Sequence, residues 1–204
     1  MYTDYFGFRE EPFKITADPR FFYETPMYQE AYANLLSGIR ERKGFLLLTG
    51  EAGIGKTTLL HRLMHDLEEP ICCVFFDNAS ATFEELLSFL CAELGLPEEE
   101  TGRLQKIRAL NAFLLARMKE GGTGVLLIDE GQDLEDQVLE NLRLLLNTQI
   151  TAETPLFQTV LVGQPELEHK LAQPKLRQRY PFTGLKSART PPIARLLKRR
   201  YCLR

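Results

Sequence analysis

The hydrophobic residues of this chain form two alternating patterns: short runs that are apolar throughout, and longer stretches with helical spacing. Apolar runs that predict buried strands lie at residues 45–49, 71–76, 125–128 and 156–162. Helical spacing is found between and before them, over residues 27–40, 59–67, 82–94, 104–118 and 138–146. Uniformly apolar strands that alternate with helices are typical of a parallel sheet covered on both faces. The pattern therefore predicts an α/β fold with three layers, α/β/α.

The same pattern divides the chain into a core and two flanking segments. Residues 1–25 are rich in aromatic side chains and contain two prolines, which favours an ordered segment packed on the core. Residues 26–186 form the predicted core, where Thr82 and Glu85 have the spacing of a capping box at the start of one helix. Residues 187–204 form a basic tail.

A phosphate-binding loop is predicted directly after the first strand. The pattern G-x-x-x-x-G-K-[ST] is matched by Gly50, Glu51, Ala52, Gly53, Ile54, Gly55, Lys56 and Thr57, and Thr58 extends the loop into the following helix. Glycines let the backbone N–H groups approach phosphate oxygens, and the helix N-terminus favours an anion there. Lys56 is predicted to reach the β- and γ-phosphates of ATP, and the Thr57 hydroxyl to bind Mg²⁺.

Two acidic residues follow the third strand. A carboxylate at the tip of a buried strand is costly unless a cation lies beside it, so Asp129 is predicted to bind the same Mg²⁺. Glu130 is then placed to act as the general base that activates water for attack on the γ-phosphate. The alternative is an ordinary strand end with two solvated acids.

Three further residues have weaker signals. Gln164 directly follows the fourth strand, where its side chain could sense the γ-phosphate; alternatively it is a turn residue before Pro165. Arg177 and Arg179 could supply an arginine finger to a neighbouring subunit, in a homo-oligomer assembled through the nucleotide site. The alternative is two charges at the start of a basic tail.

Composition and charge narrow the class of protein. The chain has 204 residues, enough for one domain, and no apolar run approaches the roughly 20 residues of a membrane span. Cys72 and Cys73 are predicted to be buried small hydrophobic residues, and with no export signal a cytoplasmic location fits. Residues 1–174 have a net charge of −13 and the last thirty have +10. A solvated end is the simpler interpretation of that tail, and nucleic acid is the alternative partner.

Several segments together resemble the ExeA-type AAA+ ATPases, the general secretion pathway protein A group. They are Tyr5-Phe6-Gly7-Phe8, Pro12-Phe13, Asp18-Pro19-Arg20-Phe21, the phosphate loop, residues 129–134 and residues 161–167. The resemblance covers about residues 1–177. It implies a P-loop fold of the additional-strand class, in which the strand containing Val160 separates the Asp129 strand from the phosphate-loop strand. It also implies an ATPase at the inner face of the inner membrane, with a secretion-system partner there, that drives assembly of an envelope complex.

The sequence departs from this family after Arg179. Family members continue into a helical lid that supplies an arginine to the nucleotide, whereas residues 187–204 have no such pattern, and we expect a truncated or frame-shifted end. ATP hydrolysis is then expected to be weak. Two alternative functions stay open: an ATP-dependent regulator of DNA transposition, and a truncated fragment that folds without catalysing a reaction.

Overall fold

The computed structural model describes Tyr5, Gly7 and residues 25–78, 80–97, 102–147 and 155–173. Its helices are α1 (Pro26–Arg40), α2 (Lys56–Asp66), α3 (Phe83–Glu93), α4 (Arg103–Lys119), α5 (Asp136–Asn147) and α6 (Pro165–Leu171). Its strands are β1 (Phe45–Thr49), β2 (Ile71–Phe76), β3 (Thr123–Ile128) and β4 (Phe157–Gly163), and a short 3₁₀ turn spans Gly131–Asp133. Every strand and helix that the sequence predicted is present within these ranges, and α6 is an additional helix.

The four strands form one parallel sheet in the order β1-β4-β3-β2. Thr49 at the end of β1 lies opposite Gly163 at the end of β4, and Ile128 at the end of β3 lies opposite Leu161. Strand β4, which contains Val160, therefore separates the phosphate-loop strand from the Asp129 strand, as expected for the additional-strand class. Because all strands run in the same direction, the loops that follow β1, β3 and β4 meet at one edge of the sheet.

Helices cover both faces of this sheet, as predicted. On one face, α1 and α2 pack against Leu46, Leu48 and Val160. On the other face, α3 to α6 pack against side chains that include Leu126 and Leu161. Burial of each such side chain contributes about 1.5–3 kcal/mol, so the two layers fix the strand ends from which the site is built.

The second strand departs from the prediction of full burial. β1, at one end of the described strand order, is buried throughout, whereas at the other end four of the six side chains of β2 are only half-buried. Cys72 and Cys73 are among these, and the interpretation of both as buried residues is wrong. The apolar run alone could not distinguish a fully covered strand from a partly exposed one. Cys73 is nevertheless shielded enough that desolvation raises the pKa of its thiol to about 12.

Helix ends follow local side-chain chemistry. The capping box predicted at Thr82 is present in both directions: the Thr82 hydroxyl accepts from the Glu85 N–H, and the Glu85 carboxylate accepts from the Thr82 N–H at 2.7 Å. Helix α6 was missed by the hydrophobic pattern because it has only seven residues. It begins at Pro165, a residue well suited to the first helical position because its fixed φ is already helical.

The predicted flanking segments, residues 1–25 and 187–204, fall almost entirely outside the described residues. The boundaries of the three segments therefore stay predictions. Among the described helices, none combines the length and the hydrophobicity that a membrane span needs.

Candidate nucleotide site

The phosphate loop connects β1 to α2 across the edge of the sheet where the strands end. Gly53 and Gly55 both have positive φ, 77° and 94°, a conformation that disfavours side chains. Gly55 is the N-cap of α2, so the loop leads directly into a helix N-terminus whose first N–H groups have no partner within the helix. Together these features produce a backbone concavity suited to an anion.

The side chain of Lys56 is folded back onto this loop. Its ammonium Nζ donates hydrogen bonds to the carbonyl oxygens of Gly50 at 2.9 Å and Glu51 at 3.1 Å, and the residue is buried. An ammonium group has three N–H donors, so two of them stabilise the loop and one stays available. The positive charge is thus already held within the loop that would bind phosphate.

Thr57 and Asp129 bring the loop and the third strand together. The Thr57 hydroxyl donates to Oδ2 of Asp129 at 2.5 Å, and the Glu130 backbone N–H donates to Oδ1 of Asp129 at 2.9 Å. These two bonds fix both oxygens of a carboxylate that is only 3% exposed. The orientation of the carboxylate toward α2 is therefore set by the fold.

The chemistry of this pair fits Mg²⁺. Both groups offer oxygen ligands. Neighbouring ligands of an octahedral Mg²⁺ lie about 2.9 Å apart, so the two oxygens, hydrogen-bonded at 2.5 Å, would separate by a few tenths of an ångström to hold the ion. The described ranges contain no cluster of three or more His, Cys, Asp or Glu side chains able to hold a metal. One carboxylate and one hydroxyl suit an ion that keeps waters and substrate phosphates among its ligands.

Glu130 is exposed and has the unusual backbone φ of +50° for a residue with a side chain. Its carboxylate accepts a hydrogen bond from Nε2 of Gln132 at 2.8 Å. The other end of the same amide, Oε1 of Gln132, accepts from the backbone N–H of Gln164 at 2.9 Å. The base predicted from sequence is thus connected to the tip of β4 through one side chain.

Helix α6 is attached to two strand ends at once. The Thr49 hydroxyl at the end of β1 donates to the Glu168 carboxylate. Lys170 donates to the carbonyl oxygens of Gln132, at 3.2 Å, and Leu134, which follow β3. Because β1 continues into the phosphate loop, this helix connects the loop strand with the turn that holds the acidic residues.

A cleft opens between the start of α1 and the phosphate loop. Its lining is mostly apolar and comprises Thr25, Met27, Tyr28, Ala31, Leu48, Ile54, Gly55, Lys56 and Leu59. The Thr25 hydroxyl caps α1 by accepting from the Tyr28 N–H at 3.1 Å, which fixes the helix end that forms one wall. A cleft with apolar walls beside a phosphate loop suits a flat aromatic base.

A comparison with protein-family models decides the family. A model described as AAA domain matches residues 39–171, which is more than half of the chain and includes the phosphate loop, Asp129, Glu130 and helix α6. The chain belongs to the AAA domain family.

Relatives of this AAA domain include general secretion pathway protein A of Aeromonas hydrophila, which is 42% identical over 179 residues. That alignment covers 87% of this chain but only 32% of the relative, so the chain spans about a third of that protein. The match confirms the resemblance inferred from the sequence.

Solved structures confirm the fold. Cdc6p from Pyrobaculum aerophilum superimposes with a TM-score of 0.62 at 17% identity, covering 80% of this chain and 46% of the other. The ADP form of the ORC2 protein from Aeropyrum pernix has a TM-score of 0.57 at 16% identity, covering 90% of this chain and 51% of the other. At such low identities these likenesses concern architecture alone.

The AAA domain brings most of the predicted site residues to one edge of the sheet. The loop residues, Thr57, Asp129 and Glu130 lie together there, whereas Arg177 and Arg179 are outside the described residues. Gln164 is at this edge as the N-cap of α6, and its backbone N–H donates to Oε1 of Gln132. Gln132, Glu168 and Lys170 also contribute contacts here, and no role was predicted for them from the sequence. A polar residue two positions after the Asp129-Glu130 pair was the one available signal for Gln132.

Proposed function

We propose that this AAA domain binds ATP with Mg²⁺ and hydrolyses it. The observation that supports this most strongly is the 2.5 Å hydrogen bond from the Thr57 hydroxyl to the Asp129 carboxylate. It joins the end of the phosphate loop to a buried acid on another strand, which is the pairing of oxygens that a phosphate-bound Mg²⁺ requires.

Each residue then has a distinct task. Lys56 exchanges one or both of its bonds with loop carbonyls for bonds with β- and γ-phosphate oxygens, which are stronger because both partners are charged. Thr57 and Asp129 would hold Mg²⁺, which supplies neutralisation of phosphate charge. The cleft beside Tyr28 and Ile54 would accept the adenine base.

Glu130 performs the proton transfer. Its carboxylate accepts a proton from water as the water oxygen bonds to the γ-phosphorus, and the bond from that phosphorus to the bridging oxygen of ADP breaks. An exposed carboxylate at the mouth of the site is reachable by water, and Gln132 restricts where its oxygens lie.

Calorimetry with ATP in the presence of Mg²⁺, followed by phosphate release, tests this function. Wild type is expected to bind ATP, and Lys56→Ala to weaken binding by about 10- to 100-fold because a charged hydrogen-bond donor is lost. Glu130→Gln is expected to bind ATP like wild type and to release no phosphate. Lys43→Ala is the matched control, because Lys43 precedes β1 at the opposite end of the strand and pairs with Glu41.

Two outcomes would contradict the proposal. If a folded wild type does not bind ATP, the proposed nucleotide site is rejected. The remaining interpretation is then a fragment that folds without catalysing a reaction. ATP binding with full hydrolysis in Glu130→Gln would leave the site in place and reject the role of Glu130.

We further propose that ATP hydrolysis here energises assembly of a secretion or pilus-type envelope complex, from the cytoplasmic face of the inner membrane. The 42% identity to general secretion pathway protein A supports this role, although the chain spans about a third of that protein. The expected inner-membrane partner, and a homo-oligomer in which Arg177 or Arg179 reaches a neighbouring site, stay proposals.

A chimera tests this cellular role. Residues of this chain replace the matched region of the Aeromonas hydrophila protein, and multimerisation of the outer-membrane secretin is measured in cells that lack the native gene. Restored multimerisation that disappears with Lys56→Ala is expected. A chimera that hydrolyses ATP at the rate of the native protein, yet restores no assembly, would contradict the assignment to this type of complex.

A further inference from the structure

The side-chain amide of Gln132 uses all of its hydrogen-bonding groups except one acceptor lone pair. Nε2 donates to Glu130 at 2.8 Å and to Oδ2 of Asp133 at 3.1 Å, and Oε1 accepts from the Gln164 backbone N–H at 2.9 Å. An amide nitrogen has two N–H donors, so both are engaged. The amide therefore lies between two carboxylates and a backbone N–H.

Only one orientation of this amide is compatible with its surroundings. Rotating it by 180° would turn Oε1 toward the two carboxylates and Nε2 toward the Gln164 N–H, which replaces three attractive contacts with like-to-like contacts. The orientation is thus fixed by the partners, and Nε2 points in a fixed direction toward Glu130.

The fold also makes room for this amide. A Cβ on Gly163 would lie 2.6 Å from Oε1 of Gln132, closer than non-bonded atoms approach, so the last residue of β4 must lack a side chain for Gln132 to reach Gln164. The backbone is held as well, since Lys170 donates to the Gln132 carbonyl oxygen at 3.2 Å. Three elements, β3, β4 and α6, therefore meet at this one residue.

We propose that Gln132 is a positioning residue that holds the Glu130 carboxylate for water activation and couples it to the junction between β4 and α6. This inference rests on the proposed ATP hydrolysis. A shift of the β4–α6 junction moves Gln164, and Gln132 transmits that movement to the base. Glu130 is otherwise exposed, so loss of Gln132 allows its carboxylate to sample other rotamers and lowers the fraction positioned for reaction.

Two variants separate the two halves of the amide. Gln132→Ala removes the contacts with Gln164, Glu130 and Asp133. Gln132→Glu keeps an oxygen that accepts from the Gln164 N–H but places a further negative charge against Glu130 and Asp133. The exchange rate of the Gln164 amide hydrogen, measured by NMR without nucleotide, reports the contact between Gln132 and Gln164. The kcat for phosphate release reports the contact between Gln132 and Glu130.

We expect the Gln164 amide hydrogen to exchange about tenfold faster in Gln132→Ala and to stay protected in Gln132→Glu. We expect kcat to fall about 10- to 100-fold in both variants, with the dissociation constant of ATP within about twofold of wild type. Gln137→Ala, an exposed position on α5, controls for loss of a surface glutamine. A merely structural role would change exchange, binding and kcat together in both variants.

A double-mutant cycle tests whether Gln132 acts through Glu130. Glu130→Asp keeps a carboxylate but is one methylene shorter, so it withdraws from Nε2 of Gln132. Adding Gln132→Ala to Glu130→Asp is expected to change kcat by less than about twofold, although the same change in wild type lowers it about 10- to 100-fold.

The outcomes distinguish this inference from the proposed function. Wild-type kcat in Gln132→Ala, or equal losses in both backgrounds of the cycle, would overturn the positioning role while leaving ATP hydrolysis intact. A folded wild type that binds ATP without hydrolysing it would overturn the proposed hydrolysis and this inference with it.

Discussion

Thr57 and Asp129 are 72 residues apart in the chain, yet the hydroxyl of the first donates to the carboxylate of the second at 2.5 Å. The contact forms because β1 and β3 end at the same edge of the sheet on either side of β4. The phosphate loop then returns across the tip of β4 to begin α2 beside Asp129. The pairing of the strands is therefore what brings Thr57 and Asp129 together.

The first prediction concerns this pair. Thr57→Ala is expected to reduce the gain in ATP affinity that Mg²⁺ provides over EDTA by about tenfold, because one oxygen ligand is lost. Thr57→Ser keeps the hydroxyl and is expected to retain the gain. Calorimetric titrations of each variant with ATP in Mg²⁺ and in EDTA measure it, and an unchanged Mg²⁺ dependence in Thr57→Ala would remove Thr57 from the metal site.

The fold was predictable because burial and periodicity are strong, local signals. Residues 125–128 are apolar throughout because both faces of a central strand are covered, and the order of such runs between helices indicated a parallel sheet. The partial exposure of β2 was not predictable from its own sequence, since Cys72 and Cys73 are apolar enough for either environment. Neighbours in the sheet decide exposure, and they are distant in the chain.

The candidate site likewise contains residues that were predictable from the sequence and residues that were not. Residues 50–57 have a fixed spacing that sequence reveals, and Asp129 follows from a charge at the end of an apolar strand. Gln132 becomes informative only when Gln164 is brought within hydrogen-bonding distance by the pairing of β3 with β4. A contact between two polar residues 32 positions apart leaves no periodic signal.

The second prediction tests the space reserved at the end of β4. Gly163→Ala is expected to displace Gln132 and to lower kcat for ATP hydrolysis about tenfold, with ATP affinity retained. The added methyl group is also expected to destabilise the domain by about 1–3 kcal/mol.

Gly124→Ala is the matched control for Gly163→Ala. Its Cβ would lie 2.5 Å from Leu114 and 2.7 Å from Phe157, so crowding is similar, but Gly124 is near the start of β3, away from the site. Urea unfolding and phosphate release are measured for both variants. An equal loss of kcat in the two would attribute the effect to stability alone.

The third prediction concerns two buried threonines with opposite expected effects. Thr49→Val removes the donor to the Glu168 carboxylate and is expected to lower the free energy of unfolding by about 1–2 kcal/mol. Thr159→Val is expected to leave stability unchanged or to raise it by about 1 kcal/mol, because its fully buried hydroxyl has no hydrogen-bond partner among the described residues. Equal destabilisation by both substitutions in urea titrations would indicate that the loss comes from reshaping the core and not from the α6 attachment.

The last prediction concerns the pH dependence of the capping box at α3. The Thr82 backbone N–H, and to a smaller extent the Thr82 hydroxyl, stabilise the charged Glu85 carboxylate by donating hydrogen bonds to it. These bonds lower the pKa of Glu85 in the folded protein. A lowered folded pKa means that the contribution to stability is complete above the unfolded pKa of about 4.3 and is lost as the pH falls through the folded value.

Glu85→Gln is therefore expected to be less stable than wild type in urea titrations at neutral pH, with a difference that shrinks as the pH is lowered below about 4.3. Glu93→Gln removes one negative charge from the last turn of the same helix and serves as the control. If the difference between wild type and Glu85→Gln stays constant down to pH 3, the carboxylate does not act through its charged form. Thr82→Ala, which removes the hydroxyl that accepts from the Glu85 N–H, is expected to cost about 1 kcal/mol at neutral pH.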